Sequence, residues 1–340
     1  MKEKINMYLW LEELRKTEVK GSMPILSFPG IQLLGCTVQE MISSSENQAE
    51  GMRLIAQRTP SLASVSLMDL SVEAEAFGSE IIFSEDEVPT VTGHIVSTEE
   101  EAEALRVPEV GEKRTGLYIE SIRKASERIT DRPVFAGIIG SFSLAGRLVD
   151  VTEALVYCYT EPDMLKTVLE KATAFLIEYA KGYKAAGANG VVIAEPLAGL
   201  LSPDLAAEFS EPYIRKIVEA VQDESFLVIY HNCGNSAIQI IESILRTGAA
   251  AYHFGNAIDM KEMMSHIPAN IIAMGNIDPA GQFRNGTPES IAAEVNRLLE
   301  ECGEYQNFVI SSGCDIPPLA SWENIDAYYA AIDVFYENKK

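Results

Sequence analysis

The sequence predicts an α/β chain closed into a (β/α)8 TIM barrel, with an N-terminal helical extension and a small hairpin insertion. Three observations lead there. Short apolar runs alternate with longer amphipathic ones from about residue 130 onward, the apolar runs carry no polar face, and with two earlier runs they number eight. Strands apolar on both faces are those buried between a barrel interior and an outer layer of helices. Repeated strand–helix–strand units pair in parallel, and eight of them suggest closure. At 340 residues the chain exceeds the usual domain length, yet barrels of this kind often run this long as one domain. No shift in composition marks a linker, so residues 1–340 read as a single domain.

In chain order, "MKEKINMYLWLEELRKTEVKG" has charges scattered throughout and no unbroken apolar block, so it reads as a surface helix. It is neither a secretory signal nor a membrane span. "PILSF" (24–28) and "SVSLM" (64–68) are the first two strands. "SEIIFSEDEVPTVTGHIVS" (79–97) breaks the alternation: two extended runs flank an acidic turn with Pro89, which reads as a hairpin insertion. The remaining strands are "PVFAGIIGS" (133–141), "GVVIAEP" (190–196), "FLVIYHNC" (226–233), "AAYHFGN" (250–256), "NIIAMGNIDP" (270–279) and "NFVISSGCD" (307–315). Between them, residues 202–222 form a helical pattern with Ser202 as N-cap and Pro203 in the first turn, and residues 287–303 form another, capped by Thr287 and stopped by Gly303.

Composition narrows the function. Asp and Glu outnumber Lys and Arg by 50 to 27, a net charge of -23, which argues against a phosphate-tracking surface and hence against nucleic acid as a partner. Five cysteines without a signal peptide do not make a disulfide framework and point to a reducing, cytoplasmic setting.

The reactive groups of such a barrel sit at the C-terminal ends of its strands. His231 and Cys233 occupy one such end in "VIYHNCGNS", and their i, i+2 spacing turns both side chains to one face. Cys314 in "SSGCDIPP" and Glu195 in "VVIAEPLAG" occupy the ends of the last strand and of the strand before His231. One His with two Cys is a zinc-type ligand set, and three protein ligands with an open or weak fourth position is the catalytic pattern. The same spacing also suits a hydrogen-bonded core histidine with cysteines as small buried hydrophobes. His253 in "AYHFGN" also approaches a strand end; Cys36, Cys158 and Cys302 read as filler, and His94 and His266 as surface residues. Ser27, Asn256 and Asp278 lie at predicted strand ends and are candidate substrate contacts. The chain has no glycine-rich phosphate loop and no G-x-S-x-G nucleophile elbow.

"GIIGSFSLAGRL" (137–148), "AGANGVVIAEPLAGLLSP" (186–203), "YHNCGN" (230–235), "MGNIDP" (274–279) and "SSGCDIPP" (311–318) together resemble the uroporphyrinogen decarboxylase superfamily over nearly the whole chain. Within it the chain is similar to the zinc-dependent corrinoid methyltransferases that methylate coenzyme M. That resemblance puts the zinc signature on His231, Cys233 and Cys314. It implies methyl transfer from a methylated corrinoid protein, a partner carrying the corrinoid, to a small-molecule acceptor held at Zn2+, coenzyme M or else tetrahydrofolate. The same zinc would serve a demethylase that charges the corrinoid, and a third reading is a non-catalytic module with a structural zinc. The decarboxylase branch uses arginines in an N-terminal loop to clamp carboxylates, whereas residues 24–40 here contain no arginine or lysine. Where relatives commonly have Asp-Pro, this chain has Glu195-Pro196, so Glu195 is expected either as a fourth ligand or as a carboxylate orienting His231.

Overall fold

The structure is a computed structural model and describes residues 5–338. Among them nine strands form: β1 (Ser64–Val65), β2 (Glu80–Ile82), β3 (Thr90–Thr92), β4 (Val134–Ile139), β5 (Gly190–Ala194), β6 (Leu227–Asn232), β7 (Ala251–Phe254), β8 (Ile272–Ile277) and β9 (Phe308–Ser312). Seven of them make one curled sheet in the order β1-β4-β5-β6-β7-β8-β9, every pair parallel. β2 and β3 form the expected antiparallel hairpin, with Ile81 opposite Val91.

The eighth position of the ring is filled without a regular strand. Residues 22–25 run between β9 and β1: Met23 N donates to Ile310 O at 3.1 Å and Leu62 N to Ser22 O at 2.9 Å. The strand expected over 24–28 is thus reduced to one bridge, Ser22 with Ile310, and an extended segment. Pro24 is the reason, since it has no N–H to donate to a ladder. The next donor, Ile25 N, turns to Ser312 Oγ at 3.0 Å. β1 is short for a related reason: beyond Val65, Ser66 holds β4 through its side chain, accepting from Gly137 N at 2.9 Å.

Inward-facing residues alternate with outward ones along the strands, as the period of two requires. Val65, Phe135, Val192, Ile229, Met274 and Val309 fill the interior, while a larger core lies between the sheet and the helices. The N-terminal helix Met7–Lys16 departs from its expected surface role. It buries Met7 and Leu11 against the interior cluster and closes the N-terminal end of the barrel. Two such side chains stabilise by roughly 1.5–3 kcal/mol each.

The single helix expected over 202–222 is two, Pro203–Phe209 and Glu211–Val221. Pro212 breaks it, because its ring clashes with the carbonyl four residues back and removes a helical hydrogen bond. The helix Pro288–Cys302 forms as expected, with Thr287 accepting from Ser290 N and Ser290 Oγ accepting from Thr287 N.

Candidate metal centre

Register decides which side chains meet at the mouth of the barrel. Ile229 faces inward, so His231, two residues on, does too, and the alternation carries to Cys233 just past the end of β6. His231 is paired in register with Ala194 on β5 and with His253 on β7. Cys314 lies two residues beyond β9, after Gly313 turns the chain. A Cβ on Gly313 would stand 2.7 Å from Asn256 N, so only glycine lets the chain pass there. A ring nitrogen of His231 and the two Sγ atoms lie within 4.8 Å of one another.

The turn after β6 is fixed by Asn232. Its Nδ2 donates to Glu195 O at 3.0 Å and its Oδ1 accepts from Gly234 N at 2.8 Å, tying the ends of β5 and β6 together. Gly255, at the end of β7, allows that strand to approach Cys233.

The donor set fits a zinc-type metal. His231 is 1% exposed, and its Nε2 is buried without a hydrogen-bond partner, which is costly for an imidazole nitrogen unless an electrophile meets it. Its Nδ1 is engaged, 2.8 Å from Nδ1 of His253. Cys314 hydrogen-bonds to Cys233, which holds the Cys233 thiol below its ordinary value against the effect of burial. The same bond, with burial, pushes Cys314 up to about 12, the imidazole of His231 acting the other way. The two sulfurs thus lie against each other at the place where a divalent cation would sit between two thiolates and an imidazole.

Glu195 stands outside this group. Ala194 is the residue in register with His231, so Glu195 projects to the opposite face of β5, toward the helices. There it is fully buried, with Oε1 accepting from Ser143 N at 2.6 Å and Oε2 from Phe142 N at 3.0 Å. Both amides belong to the first turn of the helix Ser141–Val149, whose orphan N–H groups favour a carboxylate. Burial nevertheless raises its pKa to about 7, against these hydrogen bonds. The fourth-ligand expectation for Glu195 is therefore corrected: the carboxylate is spent on a helix N-terminus. Nor does it orient the imidazole, whose Nδ1 faces His253.

The candidate substrate contacts separate. Asn256 and Asp278 line one polar cleft of about 410 Å³ together with Asn276 and Arg297. Asp278 Oδ1 is occupied by Ala280 N and Gly281 N at 2.9 and 2.8 Å. Ser27 is buried, its hydroxyl without a partner. Sequence reading brought His253 to a strand end without giving it a partner, and passed over Ser311. His253 Nε2 lies 2.8 Å from Ser311 Oγ, and both are buried. Their signal was available in the alternation, which puts 231, 253 and 311 on one inner face.

A parallel barrel thus brings an imidazole and two thiols together at its C-terminal rim, a donor set of the kind that could hold a metal ion. Comparison with known proteins places it more closely. The uroporphyrinogen decarboxylase (URO-D) family model matches residues 30–335, and the chain belongs to that family. It is 28% identical over 263 residues to the methylcobamide:CoM methyltransferase MtbA of Methanosarcina acetivorans, covering 76% of this chain and 75% of that protein. It is 30% identical over 254 residues to the uroporphyrinogen decarboxylase of Chlorobium luteolum, covering 72% and 70%. Among solved structures, a methyltransferase from Methanosarcina mazei superposes with a TM-score of 0.86 at 26% identity, covering 97% and 98% of the two chains. Among the described residues no helix is long and apolar enough to cross a membrane.

Proposed function

We propose that this chain, a corrinoid-dependent methyltransferase, uses His231, Cys233 and Cys314 to hold zinc and moves a methyl group from a methylated corrinoid protein to a thiol acceptor such as coenzyme M. The observation that carries the reading is the convergence of these three donors around a buried, unpartnered His231 Nε2. The absence of arginine and lysine from residues 24–40 supports it over decarboxylation, which would need donors for a polycarboxylate. When bound, zinc would supply the Lewis acidity that keeps an acceptor thiol ionised at neutral pH, although a free thiol has a pKa of about 8.5. Cys233 and Cys314 as thiolates, with a neutral His231, cancel the charge of the divalent ion. An acceptor sulfur held beside them would keep its electron density for attack on the methyl carbon, with the cobalt–carbon bond breaking and its electron pair left on the corrinoid cobalt. The buried inner face around His231 fixes the position of its ring.

The test is transfer from methylcobalamin by the zinc-loaded protein, followed by loss of the methylcobalamin absorbance, with coenzyme M, tetrahydrofolate or no acceptor. Zinc-dependent consumption with the thiol is expected. Consumption with the folate alone would replace the thiol as acceptor. Methylation of cob(I)alamin from a methoxylated donor, with no transfer to either acceptor, would reverse the direction.

A further inference from the structure

Behind His231 lies a chain of hydrogen bonds that ends on the backbone. His231 Nδ1 faces His253 Nδ1 at 2.8 Å, His253 Nε2 faces Ser311 Oγ at 2.8 Å, and Ser311 Oγ donates to Met23 O at 2.7 Å. All three side chains are buried. The last link has only one polarity, because a backbone carbonyl accepts and never donates.

That polarity propagates. The single hydroxyl hydrogen of Ser311 is committed to Met23 O, so Ser311 Oγ can only accept from His253 Nε2–H. Both ring nitrogens of His253 are used by His231 and Ser311, and neither contact is with a carboxylate that would hold a second proton on the ring. A neutral His253 with its proton on Nε2 presents a lone pair at Nδ1. Two ring nitrogens 2.8 Å apart need one hydrogen between them, and it must then belong to His231 Nδ1. The remaining nitrogen of His231, the unpartnered Nε2, is left with its lone pair bare.

We propose that His253, oriented by Ser311 and the Met23 carbonyl, is a positioning residue that fixes His231 as its Nδ1–H tautomer and so presents Nε2 to the metal before any metal arrives. The inference rests on the zinc reading for its purpose but not for its geometry, since the relay sets the tautomer in the metal-free protein. It assigns the ligand atom, Nε2 rather than Nδ1. It also gives a role to a serine and a histidine that touch neither the acceptor nor the ion. Hydrogen-bonded partners behind a metal-ligating histidine raise its basicity and restrict its ring, and their loss costs about 10–100-fold in metal affinity.

The experiment is nitrogen NMR of protein labelled with 15N at histidine, which has only four such residues to assign. In metal-free protein at mildly alkaline pH, His231 is expected to carry its proton on Nδ1 and His253 on Nε2. Zinc should then shift His231 Nε2 and leave both protons in place. Ser311→Ala and His253→Phe should mix the tautomers of His231 and raise the zinc dissociation constant about 10–100-fold. His253→Asn, whose amide oxygen stands near the place of Nδ1, should recover most of that loss, which a merely space-filling role for His253 would not produce. The wild-type spectrum is decisive even if every variant misfolds: His231 protonated on Nε2 in the metal-free protein overturns the proposal. So does Ser311→Ala with an unchanged tautomer and zinc affinity. A protein that takes up no zinc yet shows the stated tautomers sinks the metal reading and leaves the relay standing.

Discussion

Gly255→Ala tests whether the approach of two strand ends sets the position of a ligand. Gly255 has no positive φ, so alanine meets no backbone strain there. The obstacle is steric: a Cβ would stand 2.5 Å from Cys233 Cα and 2.6 Å from Cys233 Cβ, where ordinary contact begins at 3.4 Å. The end of β7, or the turn bearing Cys233, must move by about 1 Å, an overpacking that costs about 1–3 kcal/mol. Moving β7 also strains the bond from Gly255 N to Asn232 O, now 3.0 Å. Metal sites hold their ligands within about 0.2 Å, so a shift of this size at Cys233 should weaken zinc binding at least about tenfold. Competition against a chromophoric chelator measures the affinity, and thermal unfolding of the metal-free protein measures the packing cost. Gly182→Ala is the control. Its Cβ would meet chiefly Ile119 Cδ1 at 2.8 Å, the far end of a rotatable side chain, inside a helix where alanine is favoured by about 1 kcal/mol. It should leave zinc affinity unchanged. A Gly255→Ala protein that binds zinc within about twofold of wild type would refute the steric reasoning.

Three further outcomes are expected. Cys233→Ser and Cys314→Ser should each lose stoichiometric zinc by elemental analysis while retaining the far-UV spectrum of the barrel, since both sit past strand ends; collapse of the fold would mark the metal as structural. Glu195→Gln should keep its zinc but lose about 1–3 kcal/mol of stability, because its new amide group would meet one of the two helix-terminal N–H donors at 142 and 143. Loss of zinc would put Glu195 back among the ligands. Glu73, wholly buried with Oε2 unpartnered, has its pKa raised by burial from 4.5 to about 7. The folded state therefore favours its protonated form, and stability present below pH 4.5 is lost as pH rises through 7, by up to about 3 kcal/mol. Glu73→Gln should flatten that decline in denaturant titrations, and an unchanged slope would contradict the assignment.

Much of this architecture was legible because burial on both strand faces leaves an unbroken apolar run, and because a period of two fixes which residues share a face. The meeting of His231, Cys233 and Cys314 at one rim was readable on that ground, since all three stand at or just past strand ends. Glu195 was misread for the same physical reason. It is one residue past Ala194, the register partner of His231, and one residue reverses the face. Register between strands is not visible in a single sequence. Pro24 and Pro212 were visible and underweighted: each lacks the N–H that its element needed, so one strand dissolved into a bridge and one helix divided. The N-terminal helix gave no sign of its role, since two buried residues among ten are too few to distinguish a barrel plug from a surface helix.

The seam that closes the barrel and the relay behind His231 share a residue. Met23 N donates to Ile310 O to bring the irregular segment against β9, and Met23 O receives the hydroxyl of Ser311 one residue further along. The segment that completes the ring is therefore the one that orients Ser311, and through it His253 and His231. Because Pro24 leaves this seam with few ladder bonds, it is the part of the ring with the least backbone support of its own. Weakening it elsewhere, as Leu11→Ala would by thinning the plug beneath Met23 and Ile25, should reach the metal. Hydrogen exchange at Met23 and Ile25 amides should quicken, and zinc affinity should fall in parallel although no ligand is touched. Zinc binding should in turn slow exchange at the same two amides, because coupling between closure and ligation is reciprocal. Exchange at the seam that ignores zinc would mean that the barrel closes independently of its site.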